Sequence, residues 1–217
     1  MKQIGILGTG MVGNTIGNKL IQLGYEVKMG SRTADNEKAL NWVKSNGSKA
    51  SNGTFTDAVL FGGIVFNCIK GEHTLNVFNR AGIENFNGKI IIDITNPLDF
   101  SKGMPPTLIP GLTNTNSLGE EIQRLLPDAR VVKTLNVVNC EVMVDAGKCG
   151  GSATMFLAGN DGDAKKVVKD ILIQFGWNDI IDLGNITHAR STEMMLPIWL
   201  SIYGATKNGY IAFKIVR

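Results

Sequence analysis

The sequence predicts an α/β fold built on a doubly wound, mostly parallel sheet. Two observations carry that expectation: short β-branched runs alternate with helical stretches along most of the chain, and a glycine-rich turn joins the first run to the first helix. Composition agrees, since 217 residues that are 43% hydrophobic and 19% charged can bury a substantial core.

In chain order, the run "KQIGILG" leads into the helical stretch "MVGNTIGNKLIQLG", the run "YEVKMGS" and a polar helix from about 36 to 45. A short strand at 49–51, a helix within "TFTDAVLFG", the strand "GIVFNCI", a helix within "HTLNVFNRAG" and the strand "KIIIDIT" continue the rhythm. Strands this poor in polar residues are buried on both faces by crossover helices. Residues 96–115, "NPLDFSKGMPPTLIPGLTNT", hold four of the six prolines and read as a long loop.

The pattern then resumes. A helix within "SLGEEIQRLLP" opens at the N-cap Ser117, with Glu120 three residues on, and the strand "RVVKTLN" follows. The last third reads as the strand "ATMFLAG", a helix "DAKKVVKDILIQFG" begun after Asp161, the strand "NDIIDLG", and a long apolar helical region from about 190 onwards. No Gly/Ser linker interrupts the chain. The expected organisation is one compact body, with a domain over 1–150 and a small C-terminal α/β extension over 151–217 packed on it. The final helical region is more apolar than one small sheet needs, which predicts a homodimer.

Several function classes are set aside by composition. The net charge is only +3 and Lys and Arg are scattered, which excludes a nucleic-acid footprint. The opening Met1-Lys2-Gln3 lacks the apolar run of a secretory leader. The stretch "MMLPIWLSIYGA" is interrupted by Pro197 and falls short of the roughly twenty residues that cross a bilayer, so no membrane association is expected. Cys68, Cys140 and Cys149 form an odd set without a close pair, as reduced thiols of a cytoplasmic protein without a metal site do.

The chemistry concentrates in "GTGMVG", where Gly8, Gly10 and Gly13 have the spacing G-x-G-x-x-G directly after a strand and at the start of a helix. Gly8 permits the tight turn, Gly10 lets a pyrophosphate approach the backbone, and Gly13 permits close helix-on-strand packing. The amides of Thr9, Gly10, Met11 and Val12 then face the phosphates, so the sheet is of the Rossmann type. Gly17 reads as a close helix contact and Gly24 as a helix C-cap.

About twenty residues on, the second strand ends in Ser31, Arg32 and Thr33, where an acid would accept hydrogen bonds from the ribose hydroxyls of NAD. Arg32 instead pairs with a 2′-phosphate, and Ser31 and Thr33 add hydroxyl and backbone donors, so the expected cofactor is NADP(H). Open parallel sheets bind ligands beyond the carboxyl ends of their strands. Two such ends are Cys68-Ile69-Lys70, which could line the adenosine ribose, and Asn96-Pro97, as much a plain turn as a nicotinamide contact. Asn136, after Lys133 on the next strand, is balanced in the same way. His73 and His188 read as solvated or capping residues at helix ends. The sequence presents no Ser/His/Asp set, metal cluster or obvious catalytic lysine.

With these residues in view, the chain resembles the NADPH-dependent reductases of the deazaflavin coenzyme F420. The resemblance rests on "IGILGTGMVGNTIGNKLIQLGYEVKMGSRT", "GEH", "LPDARVVKTLN", "MFLAGNDGDAKKVV" and the ending "IIDLGNITHARSTEMMLPIWLSIYGATKNGYIAFKI". It implies that Thr9, Ser31 and Arg32 hold the 2′-phosphate side of NADP, and that hydride passes directly from the nicotinamide to a deazaflavin stacked on it. Such a transfer needs no side-chain base, so no catalytic residue is assigned. The segment "ITNPLDFSKGMPPTLIPGLTNTN" departs from that family and would form much of the second-substrate pocket. The acceptor therefore stays open between F420 and FMN or FAD. Membrane ferric reductases share the nucleotide module, including the "EH", and pass electrons on through a flavin; their membrane part is not expected here. Two other readings remain: an NADPH-dependent reductase of a small carbonyl or imine substrate, with Lys133 as the only candidate acid, and a non-catalytic NADPH-binding sensor.

Overall fold

The alternation of strand and helix in the sequence becomes, in the computed structural model, an eight-stranded sheet with helices on both faces; residues 3–217 are described. Lys2, expected in the first strand, lies outside them. In chain order the elements are β1 (Gln3–Leu7), α1 (Met11–Gln22), β2 (Glu26–Ser31), α2 (Glu37–Asn46), β3 (Ala50–Thr54), α3 (Phe55–Phe61), β4 (Ile64–Asn67), α4 (Thr74–Ala81) and β5 (Ile90–Asp93). There follow β6 (Leu98–Asp99), β7 (Thr107–Leu108), α5 (Leu118–Leu125), β8 (Arg130–Thr134), α6 (Cys140–Val144), β9 (Thr154–Gly159), α7 (Gly162–Gln174), β10 (Asp179–Asp182), α8 (Ala189–Met194) and α9 (Leu196–Thr206).

The sheet order is β10-β9-β8-β5-β4-β1-β2-β3, parallel from β3 to β8, with β9 antiparallel to β8 and β10 parallel to β9. Alternate side chains divide the core into two layers. Ile4, Ile6, Ile64, Phe66, Ile90, Ile92 and Val132 pack with α1, α2, α6 and α7. Leu7, Val65, Ile91 and Val131 pack on the other face with α3, α4, α5 and α8. Two local signals act as expected, since Ser117 accepts from the Glu120 amide and Asp161 from that of Ala164, and Asn36, read only as the start of its helix, caps α2.

Three expectations need correction. The strand placed at 49–51 runs from Ala50 to Thr54. Within the long loop, Leu98–Asp99 and Thr107–Leu108 pair antiparallel as a small separate ribbon. The long apolar helical region at the C-terminus is not one helix: α8 ends at Met194, α9 starts with Pro197 in its first turn, and Lys207 closes it in a left-handed conformation. A proline lacks the amide that would continue the preceding helix, so the break falls there. The remaining residues return to the body as an irregular segment, held where the Thr154 amide donates to the Phe213 carbonyl and Asp179 pairs with Lys214 and Arg217. Among the described residues no helix is long and apolar enough to cross a membrane.

Candidate functional site

The glycine turn is held from several directions. Gly8 adopts φ +113°, and a Cβ there would lie 2.9 Å from the Cys68 carbonyl oxygen. A Cβ on Gly13 would lie 2.2 Å from the Gly8 carbonyl oxygen, so only glycine lets α1 start this close to the turn. Around Gly10 a Cβ would meet nothing within 4 Å, which leaves the concave side open to a ligand. Asn14 donates to the carbonyls of Thr9 and Gly10, fixing the loop, while the N-terminus of α1 has no side-chain cap. The first amides of α1 are thus unsatisfied donors at the positive end of a helix, and they fit a pyrophosphate. As expected, Gly17 is a close contact: a Cβ there would lie 2.7 Å from the Trp42 ring.

Three cavities adjoin the turn. The first, about 550 Å³, is lined by Gly8, Thr9, Ser31, Arg32 and Ile69, joined by Asn36, Glu37, Lys38 and Phe55. Arg32 and Lys38 are exposed and form no ion pair among the described residues, so both cations are available to an anion. Ser31 is buried and its hydroxyl donates to the Thr33 carbonyl, shaping the turn that carries Arg32. The second cavity, about 490 Å³, borders Thr9, Gly10, Met11, Asn14 and again Lys38. Sequence reasoning missed Lys38, although its place in the first turn of α2, beside the end of β2, is a usable signal.

The third cavity, about 370 Å³, lies beyond the carboxyl ends of β4, β5 and β8. Val12, Cys68, Ile69, Lys70, Asn96 and Asn136 line it, as do Glu72 of the "GEH" stretch and Leu98 and Phe100 of the long loop, together with Asn139, Leu196 and Trp199, which sequence reasoning had not singled out. Thr33 and Pro97 line none of the three cavities. The cleft is mainly apolar, and Ile69 borders both it and the Arg32 cavity. Trp199 is fixed by an indole bond to the Ile211 carbonyl at 3.2 Å and by stacking on Tyr203, centroids 5.7 Å apart and planes 11° apart. Burial pushes the Cys68 thiol up, and the Asp93 carboxylate adds to the shift, so Cys68 presents a neutral wall.

Asn96 and Asn136 find each other. The Asn136 side-chain amide donates to Asn96 Oδ1 at 2.9 Å, and that of Asn96 to the Asn136 carbonyl at 2.8 Å. Leu135, with φ +61°, turns the chain so that this pairing forms, a backbone conformation leucine seldom adopts. His73 is more than half exposed beside Glu72, and His188 is also exposed at the start of α8; neither lines the cleft.

Lys133 sits below the cleft, not in it. Its side chain is fully buried, with Nζ 2.8 Å from Asp93 Oδ2, 2.7 Å from Glu193 Oε1 and 2.5 Å from the Thr95 carbonyl oxygen. Burial alone would lower its pKa, but the Asp93 and Glu193 carboxylates outweigh burial and hold the ammonium above its ordinary range. With its three protons taken, it is a poor acid toward a substrate. Among the described residues no cluster of His, Cys, Asp and Glu is arranged to hold a metal ion.

A family model for NADP oxidoreductases, coenzyme F420-dependent, matches residues 3–97, the stretch that contains the glycine turn and the Arg32 cavity. The crystal structure of a candidate F420-dependent NADP-reductase from Arthrobacter sp. FB24 is 44% identical, covers all of both chains and superposes with a TM-score of 0.93. An F420-dependent NADP reductase of Methanocaldococcus jannaschii is 30% identical over 148 residues, which are 67% of this chain and 64% of that one. The rat metalloreductase STEAP3 is 26% identical over 202 residues, 91% of this chain. The chain spans only 38% of that metalloreductase. With the fold, the glycine turn and full-length similarity in agreement, the chain belongs to the family of coenzyme F420-dependent NADP oxidoreductases.

Proposed function

We propose that this protein moves a hydride between NADP(H) and a planar acceptor, coenzyme F420 or a flavin such as FMN or FAD. The observation that carries the reading is the pair of adjoining cavities: a basic one beside the glycine turn and an apolar one at the strand ends, sharing Ile69. When bound, NADPH supplies the hydride. The protein's part is to bind the pyrophosphate at the turn from Gly8 to Gly13, to hold the 2′-phosphate with Arg32 and Lys38, and to exclude water with Val12, Ile94, Val138 and Leu196. Cys68, Ile69, Lys70, Asn96 and Asn136 are the proposed contacts of the ribose and nicotinamide end. Burial of Lys133 argues against a carbonyl or imine substrate that needs it as acid, and the open apolar cleft argues against a sensor.

The deciding assay follows NADPH oxidation with F420, FMN, FAD and ferric chelates offered in turn, and NADH as control. Turnover with F420 or a free flavin is the expected result. Silence with all of them, despite NADPH binding, would overturn the reading.

We further propose a cytoplasmic homodimer. Ile198 and Tyr203 on the apolar helix α9 are 51% and 43% exposed, surface that a second copy would cover. Light scattering should give twice the chain mass; a stable monomer would remove the proposal.

A further inference from the structure

Below the cleft lies an ionic cluster for which hydride transfer itself has no use. Asp93, Lys133 and Glu193 come from β5, β8 and α8, and each side chain is at most 1% exposed. Charges so deep cost more in lost hydration than their mutual attraction returns unless every lone pair and proton is matched. Here they are matched. Glu193 accepts from the Leu118 amide at 2.9 Å and the Gly119 amide at 3.0 Å, at the N-terminus of α5, as well as from Lys133. Asp93 Oδ1 accepts from the Asn67 side chain at 2.9 Å and from the Thr95 hydroxyl at 2.8 Å.

We propose that Glu193 is a positioning residue for the acceptor side of the cleft. Two sets of cleft residues meet at its carboxylate. Through Lys133 it reaches the Thr95 carbonyl, and Thr95 lines the cleft; along its own chain Leu196 and Trp199 follow, and they line it too. Helices α5 and α8 leave no slack between these parts, since a Cβ on Gly119 would lie 2.7 Å from the Ala189 Cβ. The elements that carry the glycine turn and Arg32, which are β1, α1, β2 and α2, contribute nothing to the cluster. Loss of the Glu193 charge should therefore disturb acceptor geometry and spare the adenosine end. The turnover assay for this rests on the hydride-transfer reading; tryptophan quenching and NADPH binding do not.

The test is Glu193→Gln in the full chain, with Glu193→Asp as the variant that keeps the charge. Trp42 and Trp177 are 4% and 0% exposed, so acrylamide quenching of tryptophan emission reports chiefly on Trp199. For Glu193→Gln, quenching should rise about twofold and the KM for whichever of F420, FMN or FAD the wild type reduces about tenfold, with the NADPH dissociation constant within about twofold of wild type. Glu193→Asp should recover part of both changes, and it is read by the same criteria if the glutamine variant does not fold. Wild-type quenching and KM, or NADPH affinity falling in step with acceptor affinity, would overturn the proposal. If the wild-type protein reduces no acceptor, the functional reading fails, while quenching and NADPH titration still decide the role of Glu193.

Discussion

Replacing Arg32 by alanine should weaken NADPH binding about 10- to 100-fold and leave NADH binding within about twofold, because a hydrogen bond to a charged group contributes about 1.5–3 kcal/mol. The asymmetry follows from the site. Arg32 is exposed, lies at the mouth of the basic cavity and makes no ion pair among the described residues, so its removal disturbs no packing. Only the 2′-phosphate distinguishes the two nucleotides, and a planar guanidinium meets a phosphate with two parallel bonds. Lys38 lines the same cavity and should sustain part of the preference, so selectivity should fall without reversing. Nicotinamide fluorescence titrations at low and moderate salt check both statements, since an exposed charge contact weakens as ionic strength rises. Equal losses for the two nucleotides would show that Arg32 does not read the phosphate.

The glycine turn of this protein was legible in its sequence because the constraints there are local. Gly8 and Gly13 must be glycine for reasons of backbone geometry within one turn, and elsewhere Ser117 and Asp161 cap helices whose first residues follow at once. The cleft beyond the strand ends was far less legible. Leu196 and Trp199 line the cleft from α9, which is separated from α8 by one residue, and an apolar run marked by a single proline does not reveal which of its residues face the strand ends. Helix α6 is five residues long, too short for a helical period to show, although Asn139 caps it by accepting from the amides of Glu141 and Val142. Lys133 could be named from its position but not understood, since its partners Asp93 and Glu193 arrive from other parts of the chain.

That enclosed lysine leads to the largest stability effect expected here. Lys133→Met should cost about 3–5 kcal/mol, because it leaves two buried carboxylates without their shared cation while filling much the same volume. For a chain of this size that corresponds to a melting temperature lower by about 6–20 °C, readable by circular dichroism at neutral pH. The sign of the pH dependence is a further check. In the wild type the ammonium is held above its ordinary range, so its contribution is complete below about pH 10 and is lost as pH rises through the folded-state value. In the variant the orphaned carboxyls should hold their protons more tightly than in the unfolded chain, so the deficit should be largest near neutrality and shrink as the pH falls toward about 4. Burial already pushes the Glu193 carboxyl up, against the opposing pull of Lys133. Adding Glu193→Gln to Lys133→Met should therefore restore part of the lost stability, although each change alone is harmful. A double variant as unstable as the sum of the two singles would mean that packing, and not charge, holds the strand ends beneath the cleft.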